Sequence, residues 1–123
     1  KKYKTNLVIS SNTGVGVAPW NVQNEKISRS NKEFYINNTK IVFYHFHGFK
    51  PFTRFFFKLG LSTYQVSKSS ALMQMYKIYA KSLHAHQILS KRKSIRSGGY
   101  SKLQLFLSAL KHKDLMTIFL WNR

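Results

Sequence analysis

The spacing of hydrophobic residues predicts a β-hairpin in the first half of the chain. Residues 33–36 and 40–46 are rich in aromatic and β-branched side chains, and they flank an Asn-Asn-Thr sequence at 37–39. Because asparagine tolerates a positive φ, this arrangement is typical of two strands joined by a tight turn. The second arm is apolar on both faces over 41–44, which favours a buried strand.

Shorter signals precede the hairpin. The apolar run within 6–10 predicts a strand that ends in a turn, and 21–27 predicts a short strand or a turn. Residues 14–19 (GVGVAP) predict an extended segment, because a proline disfavours helical geometry in the residue before it.

Helical spacing dominates from residue 67 onwards. One predicted helix has Ser69 or Ser70 as its N-cap, and a second begins near Ser101. Asp114 is predicted to cap a last short element at 115–121. The apolar positions at helical spacing are Leu72, Met75, Tyr76, Tyr79 and Leu83 in the first helix, and Leu103, Phe106, Leu107 and Leu110 in the second.

These patterns predict an α/β fold, with a hairpin or short sheet followed by two or three helices. The predicted divisions are a strand-rich part at 1–52, an aromatic loop at 53–66 and a basic helical tail at 67–123. Within the loop, Phe55, Phe56 and Phe57 lie between Arg54 and Lys58. Such aromatics suit membrane insertion or base stacking, and equally suit a core in which two of the three are buried.

Charge narrows the classes of partner. The 123 residues include 21 Lys or Arg and only 3 Asp or Glu, which gives a net charge of +18. The hydrophobic share of 43% is too high for a disordered basic tail, and the absence of cysteine excludes thiol chemistry. The balance favours anionic partners, namely nucleic acid, a membrane surface or phosphate-bearing ligands. No run approaches the length of a membrane span.

The basic residues of the tail leave three interpretations open. Lysines and arginines at 91–96, 102, 111 and 113 accompany the second predicted helix. They suit an anionic membrane surface, nucleic-acid phosphates or a solvated face. A small basic module that binds nucleic acid or a membrane surface is therefore an alternative function, although no known nucleic-acid-binding motif is present.

The segment 42–51 (VFYHFHGFKP) carries the most informative chemistry. A predicted strand ends near His45, and Gly48 and Lys50 follow. A histidine can bind a divalent metal, a glycine lets a ligand approach the backbone, and a lysine supplies a charge for phosphate. The same residues equally suit a strand that ends in a turn with a histidine at its edge. His45 and His47 are two residues apart, so both project to one face of a strand.

A family resemblance favours the interpretation of this segment as a metal and phosphate site. Residues 17–22 (VAPWNV) and 44–49 (YHFHGF) resemble the "NVAPWN" and "FFHFSGF" elements of a group of bacterial glycosyltransferases. The His-Gly-Lys-Pro succession is also similar to the "HxxGxxKPW" element of family-eight glycosyltransferases of the GT-A type, with one residue fewer before Lys50. The resemblance covers roughly residues 5–52.

This resemblance implies a C-terminal fragment of a GT-A-like fold that transfers a sugar from a nucleotide-diphosphate donor to an envelope or lipid-linked glycan. By position it implies His45 at a metal, and Gly48 and Lys50 at the donor diphosphate. Trp20, Asn21 and His47 would line the sugar or acceptor pocket.

The resemblance also indicates what this chain lacks. GT-A enzymes hold Mn or Mg with an Asp-x-Asp element, which is absent here. We therefore expect the divalent metal in the full-length enzyme and none on this chain alone, which is expected to be inactive by itself. We expect the chain to begin inside a longer protein. The expected location is cytoplasmic, with peripheral contact at the inner face of the membrane as an open alternative.

Overall fold

The computed structural model describes residues 10–53, 55–90 and 101–117. These residues form two small antiparallel sheets and two helices, so the predicted mixture of α and β is confirmed. The first sheet joins β1 (Ile27–Ser30), β2 (Glu33–Ile36) and β3 (Thr39–Lys40) in that order. The second sheet joins β4 (Lys50–Pro51), β5 (Phe56–Lys58) and β6 (Leu115–Thr117). The helices are α1 (Ser70–Ser90) and α2 (Lys102–Lys111), and short 3-10 turns occur at Pro19–Asn21 and Ser62–Tyr64.

Two tight turns build the first sheet. The hairpin predicted from arms 33–36 and 40–46 is confirmed as far as Lys40, with Asn37 and Asn38 in its turn at φ values of 46° and 70°. The preceding turn between β1 and β2 has nearly the same geometry, with Asn31 and Lys32 at 46° and 69°. Two consecutive positive φ values match the right-handed twist of the flanking strands. The strand at 28–30 is not predicted by the pattern of hydrophobic residues.

The prediction of a buried strand over 41–44 is wrong. Regular pairing in the second arm ends at Lys40, and the side chains of Val42 and Phe43 are 66% and 55% exposed. Their backbone N–H groups instead both donate to the carbonyl of Gly14, at 2.9 and 3.3 Å. An apolar run indicates side chains that favour burial, but it does not show which part of the chain packs against them. No described residue buries the side chains of Val42 and Phe43.

The extended segment predicted at 14–19 is also shorter than expected. Residues 13–16 form a turn because Asn12 accepts from the Gly14 N–H through its side chain, at 2.9 Å. Extended backbone is found at Val17, which forms a parallel bridge with Tyr44, and at Ala18. The strand predicted at 6–10 lies outside the described residues, apart from Ser10.

Both predicted helices are present, and their caps are those the sequence indicates. Ser69 caps α1, since its Oγ accepts from the Leu72 N–H at 3.2 Å. Ser101 and Gln104 form a reciprocal capping box at the start of α2. Neither helix has an apolar stretch long enough to cross a bilayer within the described part of the chain.

An aromatic core joins α1 to the segment that follows the hairpin. Phe46 stacks on Tyr79 with ring centroids 3.9 Å apart, and Phe49 stacks on Phe57 at 5.5 Å. The Tyr44 and Tyr76 hydroxyls lie 3.4 Å apart in the interior. Burial raises the pKa of Tyr44 to about 12, because the apolar surroundings disfavour the charged phenolate.

The segment 53–66 is not wholly a loop, because 56–58 form β5. Its neighbours are β4, which precedes it, and β6, which follows more than fifty residues later, so the pairing has no local signature. Phe57 is buried, and Phe56 is half-buried against Phe106 of α2. Phe55 is 42% exposed, so one of the three phenylalanines is fully buried, and the interpretation in which two of them are buried is met only in part.

Asp114 does not cap the element that follows it, which is the strand β6. Its carboxylate is fully buried and accepts hydrogen bonds from three consecutive backbone N–H groups. These belong to Gly60, Leu61 and Ser62, at 3.0, 3.0 and 3.2 Å. The Leu59 N–H donates to the Asp114 carbonyl at 2.9 Å. The residue therefore fixes the turn that follows β5.

We expect Asp114→Asn to lower the free energy of unfolding by about 2–3 kcal/mol. The amide NH₂ replaces one acceptor oxygen, so at least one buried N–H loses its partner. Chemical denaturation monitored by circular dichroism measures the change. The matched control is Glu25→Gln, which removes the same charge from an exposed side chain and should cost less than about 0.5 kcal/mol. Equal losses in the two variants would contradict this role of Asp114.

Candidate functional site

Two histidines leave the core on one face of the chain. Around the bridge at Tyr44 the side chains alternate, so Tyr44 and Phe46 turn inward while His45 and His47 are exposed. The two imidazole rings stack with their centroids 5.5 Å apart and their planes 24° apart. The prediction that both histidines project to the same face is confirmed.

Two aromatic rings from other parts of the chain complete what we call the imidazole–aromatic cluster, consisting of Trp20, His45, His47 and Tyr64. The Trp20 ring lies 5.4 Å from His45, 5.5 Å from His47 and 6.0 Å from Tyr64. Tyr64 also contacts His47, at 6.0 Å between centroids. Trp20 remains 47% exposed, so the cluster presents ring surface and imidazole nitrogens to solvent.

Asn21 holds the loop that positions Trp20. Its side-chain Oδ1 accepts from the Ala18 N–H at 2.8 Å, and its Nδ2 donates to the Gly16 carbonyl at 3.2 Å. Both ends of the amide are therefore bound to the backbone of the 3-10 turn Pro19–Asn21 and its approach. Asn21 therefore holds the backbone of the loop, and the neighbouring Trp20 supplies the exposed ring.

A contact between two glycines places the turn after His47. Gly48 has a φ of 73°, and a Cβ built on it would lie 3.1 Å from the Gly60 Cα. A Cβ on Gly60 would lie only 2.5 Å from the His47 carbonyl oxygen. Close packing of the chain on itself therefore requires Gly48 to lack a side chain. The contribution of Gly48 to a diphosphate site stays a prediction.

Lys50 lies apart from the cluster. It is exposed on β4, directly opposite Lys58 of β5, and it makes no hydrogen bond or ring contact with the cluster. Of the six residues predicted from the sequence, three meet in the cluster, namely Trp20, His45 and His47. Gly48 and Asn21 support them, and Lys50 belongs to the second sheet.

Sequence reasoning missed Tyr64. The residue lies in the Ser62–Tyr64 turn, in a segment that we predicted to be loop, and no spacing relates it to Trp20. The buried Asp114 accepts a hydrogen bond from the Ser62 N–H at the start of the same turn, and this contact helps to place the Tyr64 ring at the cluster.

The carboxylates of the described residues are all engaged outside the cluster. Glu33 forms an ion pair with Lys40, whose hydrogen bond lowers the pKa of that carboxyl. Glu25 accepts from the Asn37 side chain, and Asp114 is buried. Within 10–53, 55–90 and 101–117, no three His, Asp or Glu side chains come together as metal ligands. To hold a metal, His45 and His47 would need ligands from outside the described residues. The metal site at His45 stays a prediction.

Three members of the cluster, Trp20, His45 and His47, are exposed at the surface. Two surface cavities, of about 510 and 360 Å³, lie elsewhere. The first is lined by the turn between β1 and β2 and the start of α1, and the second by residues around Asn12 and Asn37. Neither includes a member of the cluster. A small-molecule site normally has several walls, so the cluster supplies one side of such a site.

The chain is similar to part of one larger protein. A protein of Bacillus subtilis (strain 168), named "Uncharacterized protein YfnD", is 32% identical to it over 66 residues. These residues make up 54% of this chain and 21% of that protein, so the matched part spans about a fifth of the relative's length. No family model matches the chain, and no solved structure does.

We expect Gly60→Ala to destabilise the protein by at least about 3 kcal/mol, because a methyl group would collide with the His47 backbone. The control is Gly16→Ala, at the same φ of 78° but with nothing within 4 Å of the added Cβ. Backbone strain alone should cost the control about 1–2 kcal/mol. Thermal or urea unfolding of both variants gives the comparison, and equal costs would mean that the glycine contact does not constrain the turn.

Proposed function

We propose that this chain is the C-terminal part of a GT-A-type glycosyltransferase that uses a nucleotide-diphosphate sugar. The observation that carries the proposal is the shared outward face of His45, His47 and Trp20. These are the residues for which the family resemblance implies a metal and sugar site, and Trp20 comes to the two histidines from 25 residues earlier in the sequence, in a region with little regular structure. The resemblance requires this convergence, and a strand that merely ended in a turn would not.

The exposed apolar residues beside the cluster support a larger protein. Val15, Val42 and Phe43 are 52–66% exposed and flank the same parallel bridge that carries His45. Exposed apolar patches of this kind mark contact surfaces. The Val17–Tyr44 bridge is parallel, whereas both sheets are antiparallel. In the proposed enzyme, a preceding nucleotide-binding part would cover the exposed side chains beside this bridge.

In this proposal each member of the cluster has a role that its chemistry permits. The Trp20 ring packs against an apolar face of the sugar, and the Tyr64 hydroxyl and His47 imidazole bond to sugar hydroxyls. His45 supplies one nitrogen ligand to a divalent Mn or Mg ion whose other ligands come from the preceding part. When bound, the ion would stabilise the charge of the leaving diphosphate. The acceptor would be an envelope or lipid-linked glycan.

The whole gene product, including the sequence encoded before Lys1, tests this proposal. With Mn²⁺ and a panel of nucleotide-diphosphate sugars, it should release nucleoside diphosphate by transfer or hydrolysis. We expect His45→Ala to lower kcat by about 100-fold, because the ion loses a ligand. The control His86→Ala changes an exposed histidine of α1 and should leave the rate unchanged. The proposal is wrong if the folded His45→Ala protein keeps the original rate.

A second candidate function is contact with an anionic membrane surface. The α2 leucines Leu103, Leu107 and Leu110 follow one helical stripe, and their side chains are 65%, 54% and 47% exposed. Lys111 and Lys113 lie at the C-terminal end of this stripe, and the chain carries a net charge of +18. Exposed leucines with neighbouring cations suit the interface of an anionic bilayer better than nucleic acid, which offers no apolar layer to the leucines. The interaction would be peripheral and is compatible with a lipid-linked acceptor.

Flotation with vesicles that contain phosphatidylglycerol tests this candidate. Replacing both Leu103 and Leu107 with serine should weaken binding by at least about tenfold, because two apolar side chains no longer enter the interface. The control Val42→Ser removes an equally exposed apolar side chain from another surface and should have no effect. Binding that survives the double substitution would reject α2 as the contact, and binding to RNA with a steep salt dependence but not to vesicles would favour the nucleic-acid alternative.

A further inference from the structure

We propose that Lys50 and Lys58 together form a binding site for a phosphate or diphosphate group. The family resemblance implies a diphosphate contact for Lys50 alone. The structure adds Lys58, which comes from a different strand and belongs to no motif. The proposal rests on the pairing of these two strands and on the charges around them.

The strand register places the two lysines side by side. Lys50 of β4 is the direct cross-strand partner of Lys58 of β5 in an antiparallel pair. The Phe52 N–H donates to the Phe56 carbonyl at 2.9 Å, which marks a hydrogen-bonded pair two residues further along the same ladder. Because hydrogen-bonded pairs alternate with closer, non-hydrogen-bonded pairs along an antiparallel ladder, Lys50 and Lys58 also form a hydrogen-bonded pair, with Cα atoms about 5.5 Å apart. Their side chains leave the same face of the sheet.

Nothing among the described residues offsets this pair of charges. Like charges directly opposite each other destabilise a sheet. The next residue in the row, on the far side of Lys58, is Leu115 and not an acid. Neither lysine has a side-chain hydrogen bond or ion pair with a described residue, whereas Lys40 pairs with Glu33 and Lys68 donates to the Lys113 carbonyl.

An anion with several oxygens would turn this repulsion into attraction. Lysine acts as a point charge toward phosphate, and two ammonium groups on flexible stems can reach one phosphate or two linked ones. Lys50 is exposed and Lys58 is half-buried, so both can be reached from solvent. The identification of the anion as the diphosphate of a sugar nucleotide rests on the proposed function, but the pairing itself does not.

Inorganic pyrophosphate is the probe, titrated into the 123-residue chain by calorimetry at fixed ionic strength. We expect Lys50→Gln and Lys58→Gln each to weaken binding by about tenfold, which corresponds to the loss of one charged contact. The control Lys77→Gln removes one charge from an exposed position on α1 and should change affinity less than twofold. Circular dichroism verifies that each variant remains folded.

Three results would overturn the proposal. These are no pyrophosphate binding by the original chain, an equal loss in Lys77→Gln, and a Lys58→Gln variant that loses binding to anionic vesicles but keeps its affinity for pyrophosphate. A separate assay distinguishes this inference from the proposed function. If the whole gene product transfers no sugar but Lys58→Gln still weakens pyrophosphate binding, the anion site stands and the glycosyltransferase proposal fails. If transfer occurs with an unchanged donor KM in Lys58→Gln, the pair does not hold the donor.

Discussion

Asp114 joins two parts of the chain that are 52 to 54 residues apart in sequence. A buried carboxylate is costly unless its oxygens accept several good hydrogen bonds, and here three consecutive backbone N–H groups supply them. The residues that donate begin at Gly60, which packs against Gly48 and the His47 carbonyl. They end at Ser62, the first residue of the turn that carries Tyr64. The position of the imidazole–aromatic cluster therefore depends on a contact made at the end of α2.

Local signals predicted the parts of the fold whose partners are close in sequence. The turn at Asn37 and Asn38, the cap at Ser69 and the box formed by Ser101 with Gln104 each satisfy their own backbone groups within a few residues. No other part of the chain is needed to form them, so their residue types were sufficient evidence.

Elements with distant partners were missed or misjudged. β5 pairs with β6, which lies near the C-terminal end of the described residues. The sequence around Phe56 is aromatic and gives no sign of this distant partner. Asp114 precedes an apolar run, which is typical of a residue that caps the next element. Its carboxylate instead binds the backbone near Gly60, and both helices lie between these two positions in the sequence. The candidate site divides in the same way. Alternation placed His45 and His47 on one face and the resemblance located Trp20, but Tyr64 and the pairing of Lys50 with Lys58 required the three-dimensional arrangement.

All three carboxylates of the chain already have partners, so none of them is free to neutralise a further lysine or arginine. Asp114 is bound to backbone, Glu25 to an asparagine side chain, and Glu33 to Lys40 and the Tyr35 hydroxyl. The net charge of +18 thus cannot be relieved by rearranging side chains within the chain, and repulsion between the cations opposes compactness. Any external anion that binds the folded state lowers this repulsion and stabilises the fold at the same time.

The cross-strand lysines and the leucine stripe of α2 are two surfaces where such an anion can bind, and they differ in the residues that lie beside the charges. Lys50 and Lys58 offer two cations directly opposite each other, which suits a small diphosphate, whereas α2 offers cations beside exposed leucines, which suits a lipid interface.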